Sequence, residues 1–290
     1  MNKYFIYTAI FLTVFCIQAK SENVDNIVTK GGKTFISSYY DTEVFKSIEI
    51  KGTSIDVEIL PAESYKIHTK VMDKRNIDWT LADGKLVITQ LPQYHMDCKS
   101  KMRATHRKCI NDEIKIFVPT SFTCQQITST LTSGDIEIKG IACKEFYAKT
   151  ESGDIDLERF SAVRGDIFSI NGEISIEDSS FDMLKAFLSS GDIKVERSVL
   201  NDVDINTISG GIKIKGEVKG IAKIETKTGN IELRTSLKES EYNKIITAKK
   251  GEITVNSFAL KSYNESKKPD VANELNILSA NGNIKLRFAE

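Results

Sequence analysis

Glycine stands at positions 134, 153, 172, 191, 210 and 229, five successive intervals of nineteen residues. Each opens the same phrase, as in Ser133-Gly134-Asp135-Ile136-Glu137-Ile138 and Ser190-Gly191-Asp192-Ile193-Lys194-Val195. Two later copies carry Gly251 and Gly282, after intervals of 22 and 31. A small polar residue, then Gly, then Asp, Glu or Asn is turn chemistry, because Gly tolerates a positive φ and Asp and Asn bond their own backbone. The apolar-polar-apolar triplet that follows alternates faces as a strand does. The first apolar column is Ile in every copy, and the second runs Ile138, Leu157, Ile176, Val195, Ile214, Leu233, Val255, Leu286. A further apolar set, Ala148, Ile167, Ala186, Ile205 and Ile224, recurs later in the same period. One such unit cannot bury its apolar side alone, whereas stacked units make a continuous interior. The pattern predicts an all-β, parallel β-solenoid (β-helix-like) of about 19 residues per coil, its coils about 4.8 Å apart.

The remaining chain divides around this array. Residues 1–21 read as a signal peptide: Lys3 is the positive n-region, residues 4–17 are almost uninterrupted apolar sequence, and Ala19-Lys20-Ser21 is a small-x-small cleavage site. The apolar run is shorter than the roughly 20 residues of a spanning helix, and a retained anchor is the alternative. Phe15 before Cys16 argues against lipidation. Residues 22–43 form a polar, loosely ordered N-terminal segment. Residues 44–111 hold several strand patterns and are expected to cap the rod, with a basic loop at 98–109. Residues 112–290 are the solenoid, without a separate C-terminal cap. No later segment is apolar enough to span a membrane, so the chain is expected in the periplasm, on the outer-membrane surface or outside the cell.

Lys+Arg and Asp+Glu are 40 each. Zero net charge removes the bulk signature of a nucleic-acid binder, and none is expected as a partner. The densest local charge is the segment from Cys98 to Cys109, which holds Lys99, Lys101, Arg103, Arg107 and Lys108 with no acid. It reads as a solvated hairpin tip or as a contact for an envelope or host-surface glycan or other polyanion. With Cys16 removed, Cys98, Cys109, Cys124 and Cys143 remain, an even count that suggests disulfides in an exported chain. Cys124 and Cys143 are nineteen apart and should stack on neighbouring coils, leaving Cys98 to close the basic loop with Cys109.

No metal site or cofactor is implied. There is no CxxC pair, and His68, His95 and His106 are scattered. The acidic turn column Asp135, Asp154, Glu173, Asp192 suits calcium only weakly, because it gives way to Gly211 and Asn230 and turn propensity explains it alone. Arg164-Gly165-Asp166 matches an integrin-recognition tripeptide, a match frequent by chance. No nucleophile elbow, HExxH or phosphate loop occurs, so catalytic residues are not expected; a carbohydrate-active enzyme built on a β-helix is the alternative to a binding scaffold.

The exported N-terminus, the Val118-Pro119 step and the Ser-Gly-Asp-Ile units resemble the bacterial putative-adhesin domain of unknown function, over about residues 45–288. The resemblance implies a β-solenoid in exported or envelope-associated proteins and supplies no catalytic residues.

Overall fold

The computed structural model describes residues 26–30, 33–73, 76–90, 111–260, 263–264 and 268–290. Among these the regular elements are strands joined by short turns, with one 3-10 element at Glu239–Glu241. All strands join one hydrogen-bonded sheet wound into rungs.

One repeat shows how a rung is made. At Gly153 the backbone takes φ +154°, and an added Cβ would lie 2.0 Å from the Gly134 carbonyl oxygen. The rungs touch through bare backbone there, which a side chain forbids. The short strand Ile155–Glu158 follows, with Ile155 and Leu157 inside and Asp156 outside. Arg159, at φ +49°, turns the chain. The long strand Ser161–Asn171 buries Ala162, Gly165, Ile167 and Ser169. It bends at Val163-Arg164, where two successive residues both face out.

The period becomes register. Ile136, Ile155, Ile174, Ile193, Ile212 and Ile231 pair in one parallel ladder. The set Ala148, Ile167, Ala186, Ile205 and Ile224 forms a second, and both lie inside. Each fully buried Ile contributes roughly 1.5–3 kcal/mol, so cohesion is spread along the whole stack.

The ends depart from chain order. Ile231 pairs with Ile284, and Ile284 in turn with Ile253. The final strands Asn273–Asn281 and Ile284–Ala289 are therefore inserted between the Ile231–Lys238 rung and the earlier Tyr242–Ala248 and Ile253–Val255 rung. That outermost rung is closed by short antiparallel strands, Phe258–Leu260 and Tyr263–Asn264, where no cap was expected.

At the other end, Ser47–Ala62 is a rung of the stack, although residues 44–111 were expected to cap it. Its two halves pair in parallel with Thr123–Ser133 and Ile136–Lys139 on one side, and with Lys85–Gln90 and Asp112–Pro119 on the other. Beyond these, Lys66–Val71, Lys33–Asp41 and Asn26–Lys30 continue antiparallel, and Ile77–Ala82 covers Lys85–Gln90. Residues 33–41, expected to be loosely ordered, form one of these strands. Phe35 is fully buried in it, and the His68 Nε2 and Ser37 Oγ lie 2.8 Å apart. A covered ring and a satisfied polar pair fix a segment whose composition is polar.

Candidate functional site

Cys98, Lys99, Lys101, Arg103, Arg107, Lys108 and Cys109 lie outside the described residues. The root of their segment lies within them. Gln90 is buried, and its Oε1 accepts the backbone N–H groups of Thr53 and Ser54, both at 2.8 Å. Its Nε2 donates to the Ser54 carbonyl at 3.0 Å and to Asp112 Oδ2 at 3.1 Å. The two chain ends that lead to the basic segment are thus tied together across Gln90 and Asp112.

Cys124 and Cys143 are ladder partners, as their spacing indicated. Both are free, buried thiols, and no disulfide joins them. Parallel strands in register project their Cα–Cβ bonds side by side, so the Cβ atoms stay about 4.8 Å apart, beyond the roughly 3.5–4.5 Å that a disulfide spans. Cys124 Sγ donates to the Lys46 and Gln126 carbonyl oxygens, both at 3.2 Å. Burial pushes its pKa up to about 12, and burial raises that of Cys143 as well. Thiols held protonated in this way pack as small apolar groups and are poor nucleophiles.

The acidic turn column has a structural task that the sequence did not reveal. Asp135 Oδ1 accepts the backbone N–H of Asp154 at 2.9 Å, and Asp154 Oδ1 accepts that of Glu173 at 2.7 Å. Asp192 serves Gly211, Asn230 serves Asn283, and Asn283 serves Glu252, at 2.7–2.9 Å. Each side chain satisfies the turn N–H of the next rung, which Asp and Asn do equally well. Among the described residues no group of three acidic, His or Cys side chains is placed to hold a metal ion. The integrin-like tripeptide is likewise structural. Gly165 faces the interior, where an added Cβ would meet the Phe181 ring at 2.6 Å, while Arg164 Nε donates to Asp166 Oδ2 at 2.8 Å.

The feature missed from sequence lies on the outer side of the long strands. A dent of about 300 Å³ spans three rungs. Its side chains are Gln126, Glu145 and Arg164 in one ladder row, and Thr128, Tyr147 and Asp166 in the next. Beside it Phe168 pairs with Phe187, and the Tyr147 and Phe168 rings stand 5.8 Å apart. Ile170, Met183 and Phe187 on the same wall are 45%, 45% and 37% exposed. The available signal was apolar residues at outward positions of an alternating strand, where solvent favours polar ones.

These parts define an all-β, solenoid-like domain of parallel rungs that presents side chains along its walls. The chain belongs to the Toastrack DUF4097 family, whose model matches residues 45–287. Similar solved structures include a protein described as a putative adhesin from Parabacteroides distasonis, 10% identical over 89% of this chain and 99% of that one, TM-score 0.43. Another so described, from Parabacteroides merdae, is 11% identical over 91% and 99%, TM-score 0.41. A third, described as a putative lipid binding protein from Parabacteroides distasonis, is 11% identical over 91% and 99%, TM-score 0.40. No curated protein matches the chain.

Proposed function

We propose that this protein is an exported, non-catalytic binding scaffold of the bacterial envelope or surface, with an adhesin-like role. In this reading residues 1–21 direct export, and coils of about 19 residues form a rigid support for contact groups. Within 44–111 the capping role is given to Lys66–Val71 and Ile77–Ala82, which pair antiparallel with Asp112–Pro119 and Lys85–Gln90, and it is extended by Lys33–Asp41. The feature that carries the binding role is the run of five cations without an acid in 98–109, a stretch of chain whose flanking residues Gln90 and Asp112 are hydrogen-bonded to each other. Five cations within ten residues concentrate positive potential on a chain whose net charge is zero, and a Cys98–Cys109 bridge would lower the entropy lost on binding.

The test is titration with anionic vesicles and an anionic polysaccharide at about 50 and about 200 mM salt, where counterion release makes charge-driven binding fall steeply. Replacing Lys101, Arg103 and Arg107 with Ser is expected to flatten that dependence and leave the melting temperature unchanged. Binding that the triple variant keeps in full removes the loop from the function. Release of new reducing ends from the polysaccharide overturns the non-catalytic reading in favour of a carbohydrate-active enzyme.

A further inference from the structure

The dent on the long-strand wall has a chemistry of its own. Glu145, Gln126, Thr128 and Tyr147 line the dent without a side-chain hydrogen bond or salt bridge among the described residues, although Glu145 lies in register with Arg164 and is attracted to it. Arg164 and Asp166 orient each other through their 2.8 Å bond. A carboxylate, an amide, a hydroxyl and a guanidinium are therefore arrayed around one aromatic ring. With two carboxylates and one guanidinium, the dent favours an uncharged ligand over an anion.

The backbone narrows the partner further. Ala142–Ser152 and Ser161–Asn171 are paired on both sides, so the wall has no free main-chain edge to take an added peptide strand. Only side chains are on offer. They suit a ligand with an apolar face and a rim of hydroxyls, which is the description of a pyranose ring. A volume of about 300 Å³ lies at the small end of ligand sites. The apolar surface continues past the dent over Phe168 and Phe187, two rung steps or about 10 Å along the stack.

We propose that the wall binds a neutral glycan, with one sugar ring on Tyr147 among Glu145, Gln126 and Asp166, and the chain running on over Phe168 and Phe187. This rests on the binding-scaffold reading and adds a second contact site, distinct in its residues and charge from the 98–109 segment.

The experiment is saturation-transfer NMR and titration of the purified protein with neutral hexasaccharides of glucose and of N-acetylglucosamine. Wild type is expected to bind at least one of them with little salt dependence. Glu145→Ala, a change at an exposed side chain, and Tyr147→Ala are each expected to weaken binding about tenfold or more. The Ser triple variant of the basic loop should bind as wild type does. No transfer from either hexasaccharide, or affinity unchanged in both wall variants, overturns the proposal while leaving the scaffold reading in place. Cleavage of the hexasaccharides removes the scaffold reading instead. Concentration-dependent self-association abolished by Tyr147→Ala would assign the wall to a protein contact and also overturn it.

Discussion

An alanine at position 153 would place its methyl group 2.0 Å from the Gly134 carbonyl oxygen, on a backbone at φ +154°. Neither the conformation nor the spacing can relax without parting two rungs. Gly153→Ala is therefore expected to lose about 3 kcal/mol or more, from backbone strain and overpacking together. Gly84 is the control: φ is +70°, but an added Cβ meets nothing within 4 Å. Its change to Ala should lose only about 1 kcal/mol, the usual left-handed penalty. Urea denaturation of both variants checks this, and equal losses would show that rung contact is not what the glycines serve. Asp156 supplies a second test. Its pKa is pushed up to about 6, first by partial burial and then by the carboxylates of Asp154, Glu137, Asp135 and Glu173. The folded chain thus holds this proton more tightly than the unfolded one, whose value is near 3.8. Its contribution is fully present below the unfolded value and is lost as pH rises through about 6. Asp156→Asn should raise the melting temperature at pH 7 and change it little near pH 3.5; a gain of the same size at both would break the assignment.

Elements at the two ends are placed by edge closure. A rung left at the end of a parallel stack exposes a row of backbone donors and acceptors, which proteins cover or pair. Here the last strands return to fill a gap, and antiparallel hairpin strands finish each end. Among the described residues, Ile253–Val255 has only Ile284–Ala289 and Phe258–Leu260 as strand partners. Removing residues 271–290 should therefore free the 242–255 rung as well as the deleted strands. Hydrogen exchange is expected to show protection lost over 242–255 and kept over 142–215. Protection of 242–255 as in wild type would mean that this rung is held by something other than the inserted strands.

At the scale of the molecule, the two walls carry different chemistry. On the short-strand wall, Glu196 pairs with Lys215 and Glu177 with Arg197, while Arg234 and Arg287, next in the column, have no ion pair among the described residues. Exposed pairs of this kind contribute little to stability, so this wall can vary in charge without loss of fold. The long-strand wall keeps aromatic and aliphatic groups in water around a polar dent. The interior is continuous from rung to rung, which leaves the walls and the ends as the described surfaces open to a partner.

What the sequence determined by itself was everything that repeats. The nineteen-residue spacing, the Ile column and the Gly-Asp turns state which residues face inward and which partners share a ladder, because period and alternation are local and every rung obeys them. Tertiary structure decided which rung neighbours which. Ser47–Ala62 and Ile284–Ala289 carry the same alternation as any other rung, so nothing in their pattern says that each belongs between two others. The cysteines follow the same rule: their spacing gave the pairing, and only the parallel geometry of the side chains left them as thiols. The wall dent was beyond the sequence for a related reason. Its side chains come from three successive rungs and meet only when those rungs are stacked, bent at Lys144-Glu145 and Val163-Arg164, and viewed from outside.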